Sequence, residues 1–266
     1  MTLSVHNLSV RYGRKTVIDG LEFEARPGAL LAIVGPNGSG KSTLIKAICG
    51  DLPYEGSIVF NGTEVADARP RDLAGVRGVL PQASTLAFPF HAIEVVRIGL
   101  SSGVGADHAD RAHAAMARVG LTGYANRYYQ ELSGGEQQRV QLARVLAQVW
   151  EPVTADGPRW LMLDEPVSSL DIAHQLQIMT IARDFAQAGG GVVAVMHDLN
   201  LTGLFADHVL VMAEGQALAT GRPVDVMTDV TLSRAYGCDL QVNTVPQSVT
   251  PFVLPHNARA AASKRV

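Results

Sequence analysis

The chain has 266 residues, of which 47% are hydrophobic and 18% charged, and its formal net charge is −3. This composition is ordinary for a globular protein, and the length predicts one sizeable α/β unit with room for a subdomain. The acidic balance gives no global case for nucleic-acid binding. Cys49 and Cys238 lie far apart without metal-ligand spacing, so a reducing compartment fits better than a disulfide framework.

The first third of the sequence mixes antiparallel strands with a strand–loop–helix unit. Strands are predicted at residues 3–12, 16–23, 29–34 and 56–60, and a helix from about 41 to 50. The last of these strands ends in Asn61-Gly62, a strong hairpin signal. The apolar runs at 29–34 and 160–163 are far shorter than the roughly 20 residues that cross a bilayer. No charged segment followed by an apolar run opens the chain, so we do not expect secretion.

The middle of the sequence, from about residue 84 to 148, is mainly helical and predicts a helical subdomain inserted into the α/β core. The core then resumes with strands at 160–163 and 192–196, a helix at 171–188, and a closing hairpin at 209–212 and 216–220. We interpret residues 1–244 as a single domain. Residues 245–266, which contain three prolines and an Ala/Lys/Arg end, are expected to form a loosely ordered tail.

The strongest local signal is a phosphate loop of the pattern G-x-x-x-x-G-K-[ST], preceded by an apolar strand and followed by a helix. Its glycines allow backbone N–H groups to curl around phosphates, and the helix N-terminus adds its positive dipole end. Lys41 supplies a cation for the phosphates, and the Ser42 hydroxyl can ligate Mg²⁺. The predicted nucleotide-binding residues here are Gly35, Pro36, Asn37, Gly38, Ser39, Gly40, Lys41, Ser42 and Thr43.

A second element is an apolar run that ends in two acids, Asp164 and Glu165. Alone, this pattern is equally consistent with an acidic residue in an ordinary loop. Downstream of a phosphate loop, it predicts a buried strand whose end reaches the nucleotide. Asp164 would then hold Mg²⁺, directly or through water. Glu165 would polarise the attacking water as general base.

A third element, LSGGEQQR at residues 132–139, resembles the signature sequence of ATP-binding-cassette (ABC) ATPases. Ser133, Gly134, Gly135 and Glu136 open a helix, so hydroxyl and N–H groups can receive an anion. The same residues also match the pattern of a simple capping box, and the two interpretations are compatible. The resemblance covers residues 3 to 244. It implies a P-loop NTPase fold of the ABC-cassette type, α/β with a mixed β core, an antiparallel N-terminal β subdomain and an inserted helical subdomain.

Other positions follow the family's order. Tyr12 matches the aromatic residue that stacks on adenine, and Gln82 the Q-loop glutamine that senses Mg²⁺. Ser169-Leu170-Asp171 resembles the D-loop at the dimer interface, and His197 the switch histidine that contacts the γ-phosphate. Taken singly, Tyr12 or His197 is more typical of a packing residue; in this order the resemblance favours roles in catalysis and binding.

Two departures from the family pattern occur. Val167 stands where many members carry Thr, which should leave the chemistry unaffected. Residues 150–158 predict an extra surface loop before the acidic strand, with no role assigned.

In the family, one chain's phosphate loop is completed by another chain's signature motif. The resemblance therefore implies a homodimer that holds ATP with Mg²⁺ at its interface. It further implies integral-membrane permease subunits, an indirect link to a periplasmic substrate-binding protein, no nucleic-acid partner, and a peripheral location on the cytoplasmic face of the inner membrane. The permease is expected near residues 82–90, where Leu86, Phe88 and Phe90 would be exposed for a helix-in-groove contact, or else would pack locally.

The stretch LPQASTLAFPF at 80–90, with the extra loop, most resembles the ATPases of hemin importers within the group that imports iron chelates and cobalamin. A ferric siderophore or cobalamin importer is the alternative. A soluble ABC protein of DNA repair or translation, a non-hydrolysing regulatory cassette and an export ATPase fit less well. The chain lacks long insertions and a second cassette, and it carries Lys41, Asp164, Glu165 and His197 together.

Overall fold

The computed structural model describes residues 1–82, 86, 88–100, 108–246 and 251–257. Its strands are β1 (Leu3–Tyr12), β2 (Lys15–Ala25), β3 (Leu30–Val34), β4 (Glu55–Phe60), β5 (Thr63–Glu64), β6 (Arg77–Leu80), β7 (Val153–Thr154), β8 (Gly157–Pro158), β9 (Trp160–Asp164), β10 (Gly191–Val195), β11 (His208–Ala213) and β12 (Gln216–Gly221). Its α-helices are α1 (Lys41–Ile48), α2 (Pro70–Val76), α3 (Ala92–Leu100), α4 (His108–Arg118), α5 (Gly134–Gln148), α6 (Ile172–Gln187), α7 (Leu199–Phe205), α8 (Pro223–Val226) and α9 (Asp229–Tyr236). Short 3₁₀ turns occur at Val65–Asp67, Tyr129–Glu131 and Pro255–Asn257.

The central feature is a six-stranded sheet of order β12-β11-β3-β10-β9-β6, in which only β12 runs antiparallel to its neighbour. Every residue of β3, β9 and β10 is buried. Such continuous apolar runs are typical of parallel strands covered on both faces. Because side chains alternate along a strand, Leu30 and Ala32 face one hydrophobic cluster while Leu31 and Ile33 face the other.

A second, antiparallel sheet of order β2-β1-β4-β5 covers one face of the central sheet together with α1. Its strands show the alternating burial of a sheet with one solvated face. The predicted antiparallel N-terminal sheet and mixed β core are thus confirmed.

The other face packs against helices α3 to α7. Among them, α3, α4 and α5 contact one another closely, and α5 also lies against β6. At that contact a Cβ added to Gly78 would come within 2.7 Å of Val145 Cγ1, so α5 and the sheet edge meet with no room for a side chain. Helices in the described part of the 84–148 region agree with the mainly helical pattern of the sequence, while residues 84, 85, 87 and 101–107 lie outside the described residues.

Residues 150–158, expected to form a surface loop, contain the hairpin β7–β8, whose turn residues Ala155 and Asp156 are exposed. Asn61 fastens this hairpin to the end of β4, because its Nδ2 donates to Pro158 O at 2.8 Å and its Oδ1 accepts from Trp160 Nε1 at 3.3 Å. In the expected tail, the turn at Pro255–Asn257 contacts α7. No helix within the described ranges is both long and apolar enough to span a membrane.

Candidate nucleotide-binding and hydrolysis site

Four predicted site positions follow four neighbouring parallel strands at one edge of the central sheet. β3 leads into the phosphate loop at Gly35, β10 is followed by His197, β9 ends in Asp164, and Gln82 lies just beyond β6. The carboxyl ends of parallel strands form the ligand-binding edge of open α/β sheets. The topology therefore gathers residues that are more than 100 positions apart in the sequence.

The phosphate loop has a backbone that requires glycine at two points. Gly35 has φ 152° and a Cβ there would lie 2.1 Å from Met212 O, while Gly40 has φ 100° and forms the N-cap of α1. Asn37 and Gly38 are exposed at the loop's tip, and Thr43 is half-buried in the first turn of α1. The tip is thus open to a ligand above a buried base.

Lys41 is buried, and its Nζ donates hydrogen bonds to Gly35 O at 2.8 Å and Pro36 O at 2.9 Å. Burial lowers the pKa of Lys41, whereas the nearby carboxylates of Glu165 and Asp164 raise it. An anionic phosphate at the loop would favour the charged form for the same reason as those carboxylates do. The ammonium group therefore lies where a phosphate could replace two carbonyl contacts.

Ser42 and Asp164 bring two oxygen ligands together. Ser42 Oγ donates to Asp164 Oδ1 at 3.4 Å. Burial raises the pKa of Asp164, with the Glu165 charge acting in the same direction and Ser42, Lys46 and Lys41 opposing it. Mg²⁺ prefers oxygen ligands at 2.0–2.1 Å in octahedral geometry, which places neighbouring ligands about 3 Å apart. The two side chains fit such a cation, whose charge would also stabilise the ionised Asp164.

Glu165 directly follows β9 and lies within hydrogen-bond distance of the switch-position histidine. His197 Nε2 lies 2.7 Å from Glu165 Oε1, and the Glu165 side chain is 13% exposed whereas that of His197 is 42% exposed. Glu165 has φ +53°, a conformation that is uncommon for residues other than glycine. An unusual backbone conformation and a partner side chain therefore fix the direction of this carboxylate.

Ser133 is the N-cap of α5 in a complete capping box. Its Oγ accepts from Glu136 N at 3.4 Å, its backbone N–H donates to Glu136 Oε2 at 2.8 Å, and its Oγ also donates to that oxygen at 2.7 Å. These hydrogen bonds from Ser133 lower the pKa of Glu136. Ser133 and Gly134 are exposed. The predicted signature residues thus form an open helix N-terminus, the arrangement that receives an anion.

The D-loop positions lie beside the signature in the same chain. A Cβ on Gly135 would meet Leu170 Cδ2 at 3.0 Å and Ser169 O at 3.4 Å. Asp171 is the N-cap of α6, accepting from His174 N at 2.9 Å.

Tyr12 and Gln82 occupy the margins of the site. Tyr12 ends β1 and is 49% exposed. The adjoining strand β2 contacts the phosphate loop, where a Cβ on Gly40 would lie 3.2 Å from Val17 O. Gln82 is exposed beyond the end of β6.

The stretch expected to meet a permease is only partly described, since residues 83–85 and 87 lie outside the described ranges. Phe88 is 68% exposed, as expected, and its ring meets that of Phe90 edge-on at 6.4 Å. Leu86 and Phe90, however, are half-buried against the helical core. For these two residues the alternative of local packing holds, because Phe90 O accepts from Tyr129 N at 2.8 Å and draws this segment onto the helices.

Sequence reasoning assigned no role to Gln138, whose Nε2 donates to Glu165 O at 3.1 Å. Its place in the signature run was the only signal in the sequence. A polar side chain two residues beyond the capping box has no local partner to predict, so the contact becomes visible only in the fold.

Comparison with known proteins decides the family. The ABC transporter family matches residues 18–168, more than half of the chain. The chain belongs to the ABC transporter family. Membership agrees with the resemblance of the signature sequence and with the cassette fold described above.

Two relatives are similar over nearly their whole length. A protein named hemin import ATP-binding protein HmuV from Jannaschia sp. (strain CCS1) is 59% identical over 97% of this chain and 95% of its own. One of the same name from Ruegeria sp. (strain TM1040) is 59% identical over 98% of this chain and 100% of its own. A solved dimeric ATP-binding cassette in a post-hydrolysis state, bound to ADP and Pi, is 25% identical with a TM-score of 0.72. That match covers 83% of this chain and 98% of the other.

Proposed function

We propose that this chain is the ATP-binding and ATP-hydrolysing subunit that powers an importer of hemin. The observation that carries the substrate is the 59% identity, over 97% of the chain, to a protein named for hemin import. Membership of the ABC transporter family supports the ATPase activity itself. The import substrate need not contact this subunit, so its residues supply the motor and not the recognition.

The site residues divide the work of hydrolysis. The phosphate loop and Lys41 bind the β- and γ-phosphates, and Ser42 and Asp164, with Gln82, would hold Mg²⁺, which neutralises phosphate charge when bound. Glu165 takes the proton of the attacking water. His197, 2.7 Å from Glu165, orients that carboxylate and contacts the γ-phosphate.

We infer that two copies complete two sites, the phosphate loop of each facing the signature of the other. The exposed N-terminus of α5 and the dimeric state of the ADP- and Pi-bound cassette support this arrangement. ATP would favour the closed pair and product release the open one, which converts hydrolysis into motion.

The remaining partners and limits are also proposals. Permease subunits would bind near Phe88 and keep the chain at the cytoplasmic face of the inner membrane, with a periplasmic substrate-binding protein linked through them. The cassette would comprise residues 1–244, with its helical part at about 84–148 as an insertion and 245–266 as a tail.

The substrate is tested by growth of a host strain that lacks this gene on hemin, a ferric siderophore or inorganic iron as sole iron source. Cobalamin-dependent growth is tested in parallel. We expect loss of growth on hemin alone, restored by the wild-type gene but not by Glu165→Gln. The variant Glu214→Gln serves as control, since Glu214 shares a left-handed backbone (φ +50°) but lies exposed in the β11–β12 turn.

Normal growth on hemin, with loss of growth on the siderophore or of growth that depends on added cobalamin, would overturn the hemin assignment and leave the ATPase standing. Full rescue by Glu165→Gln would instead overturn the role of Glu165.

A further inference from the structure

One hydrogen bond joins the signature helix to the backbone of the residue proposed as general base. Gln138, in the second turn of α5, donates from Nε2 to the main-chain oxygen of Glu165 at 3.1 Å. Its side chain is half-buried, and its Oε1 is buried with no hydrogen-bond partner among the described residues. Buried amide oxygens are usually paired, so the Gln138 side chain makes its contact with Glu165 while its own oxygen stays unpaired.

The oxygen that Gln138 contacts belongs to a backbone in an uncommon conformation. Glu165 has φ +53°, which non-glycine residues keep only where the surroundings fix it. Its N–H donates to Val195 O at 3.2 Å on one side. On the other, its oxygen accepts from Ser168 Oγ at 3.3 Å, Ser168 N at 3.4 Å and Gln138 Nε2. The Ser168 contacts are local and long, whereas the Gln138 contact is the shortest and comes from a different element.

We propose that Gln138 is a positioning residue for ATP hydrolysis: it fixes the Glu165 backbone and so directs the carboxylate that faces His197. The inference rests on the proposed role of Glu165 as base. Gln138 lies five residues after Ser133, about 7–8 Å along the helix axis. A displacement of the signature end of α5 by a nucleotide therefore reaches the Glu165 main chain through one side chain. The helix that senses the phosphate in one site thereby adjusts the base of the same chain.

The test compares Gln138→Leu, which keeps the side-chain volume and removes the donor, with Gln148→Leu on the same helix. Gln148 Nε2 also donates to main-chain oxygens, of Ala74 at 2.9 Å and Arg77 at 3.1 Å, but these belong to α2 and β6. With purified full-length protein, we expect kcat to fall about ten-fold in Gln138→Leu, the size of one lost orienting hydrogen bond, with KM for ATP within about two-fold. Gln148→Leu should keep the wild-type kcat.

A wild-type kcat in Gln138→Leu, an equal loss in both leucine variants, or a raised KM at constant kcat would each overturn the proposal. A second measurement tests whether Gln138 acts through Glu165. Single-turnover hydrolysis, with enzyme in excess so that slow rates are resolved, compares Glu165→Gln with the double variant Gln138→Leu/Glu165→Gln.

We expect the double variant to be no slower than Glu165→Gln, since the carboxylate that Gln138 directs is already gone. A further ten-fold loss would show a separate role and contradict the inference. A wild-type rate in Glu165→Gln would overturn the proposed role of Glu165 as base, and the positioning role with it. A wild-type rate in Gln138→Leu alone overturns only the positioning role.

Discussion

The two halves of the candidate site differ in how they hold their charges and dipoles. The phosphate-loop half lies at the buried edge of the central sheet, where Lys41 and Asp164 are each about 95% withdrawn from solvent. The signature half is an exposed helix end, where Ser133 and Glu136 satisfy each other in a capping box. Buried charges are costly without a partner and respond strongly to a bound ion, whereas an exposed cap changes little. A bound nucleotide should therefore change the electrostatics of the buried half, whereas it should contact the exposed half with little change there.

The largest effect should come from Glu165→Gln in the buried half. Removing a general base lowers kcat by roughly 10²–10⁴-fold, while MgATP affinity should stay within about two-fold because the amide keeps the side-chain shape. Phosphate release and calorimetric MgATP binding measure the two quantities, with Glu214→Gln as the control. Hydrolysis at a near wild-type rate would remove Glu165 from the role of base.

Lys41→Ala tests whether the buried cation binds the phosphates. We expect the Kd for MgATP to rise about 10–100-fold, because a hydrogen bond to a charged group contributes about 1.5–3 kcal/mol and each 1.4 kcal/mol is tenfold. Lys46→Ala, on the same helix but exposed, should leave the Kd unchanged. The same Kd for Lys41→Ala and wild type would contradict the assignment.

Ser133→Ala separates the cap from the ligand role in the exposed half. Its control is Thr228→Ala, which removes another N-cap hydrogen bond, from Thr231 N at 3.2 Å. Both should lose about 1 kcal/mol of unfolding free energy, a fall in Tm of about 2–4 °C. Only Ser133→Ala should also lower kcat/KM, by about ten-fold. Equal ATPase losses in the two variants would reduce Ser133 to a structural cap.

The smallest effect concerns the stability of the buried half. Because burial raises the pKa of Asp164, ionising it disfavours the folded state. The penalty is absent below the unfolded pKa of about 3.9, grows as the pH rises through the folded pKa, and is complete above it. Asp164→Asn, whose amide oxygen can still accept from Ser42, should therefore raise Tm at pH 7 by a few degrees, about 2–4 °C per kcal/mol.

That gain in Tm should vanish near pH 3, as thermal unfolding from pH 3 to 8 would show. The variant should also lose the extra stabilisation that Mg²⁺ adds to ATP. A lower Tm at pH 7 would mean that the Asp164 charge stabilises the fold.

The sequence predicts best the elements whose signals are local. The apolar runs of β3, β9 and β10, the phosphate loop and the capping box at Ser133 each specify their own conformation, and the fold has them where the pattern placed them. No strand was predicted at β6, because Arg77–Leu80 is short and carries Gly78 and a charge. Only its pairing with β9 makes it a strand.

Contacts between distant segments could not be predicted from the sequence. The hairpin β7–β8 depends on Asn61, about 97 residues before Pro158. The burial of Leu86 and Phe90 depends on the helical core that follows them in the chain, and the Gln138–Glu165 bond spans 27 residues. In each case a side chain is fixed by a partner that local propensity cannot indicate.

The central claim, that the buried half of one copy works with the exposed half of another, is tested most directly by mixing two inactive variants. Lys41→Ala spoils the phosphate loop. Gly134→Asp spoils the signature by charge without a clash, since a Cβ at Gly134 meets nothing within 4 Å and an acid suits a helix N-terminus.

At an ATP concentration near the wild-type Kd, each variant alone should be nearly inactive, but a mixed dimer contains one site with an intact loop and an intact signature. We predict that an equal mixture recovers ATPase activity, up to about one quarter of the wild-type rate when subunits pair at random. No recovery on mixing, with mixed dimers shown to form, would contradict it.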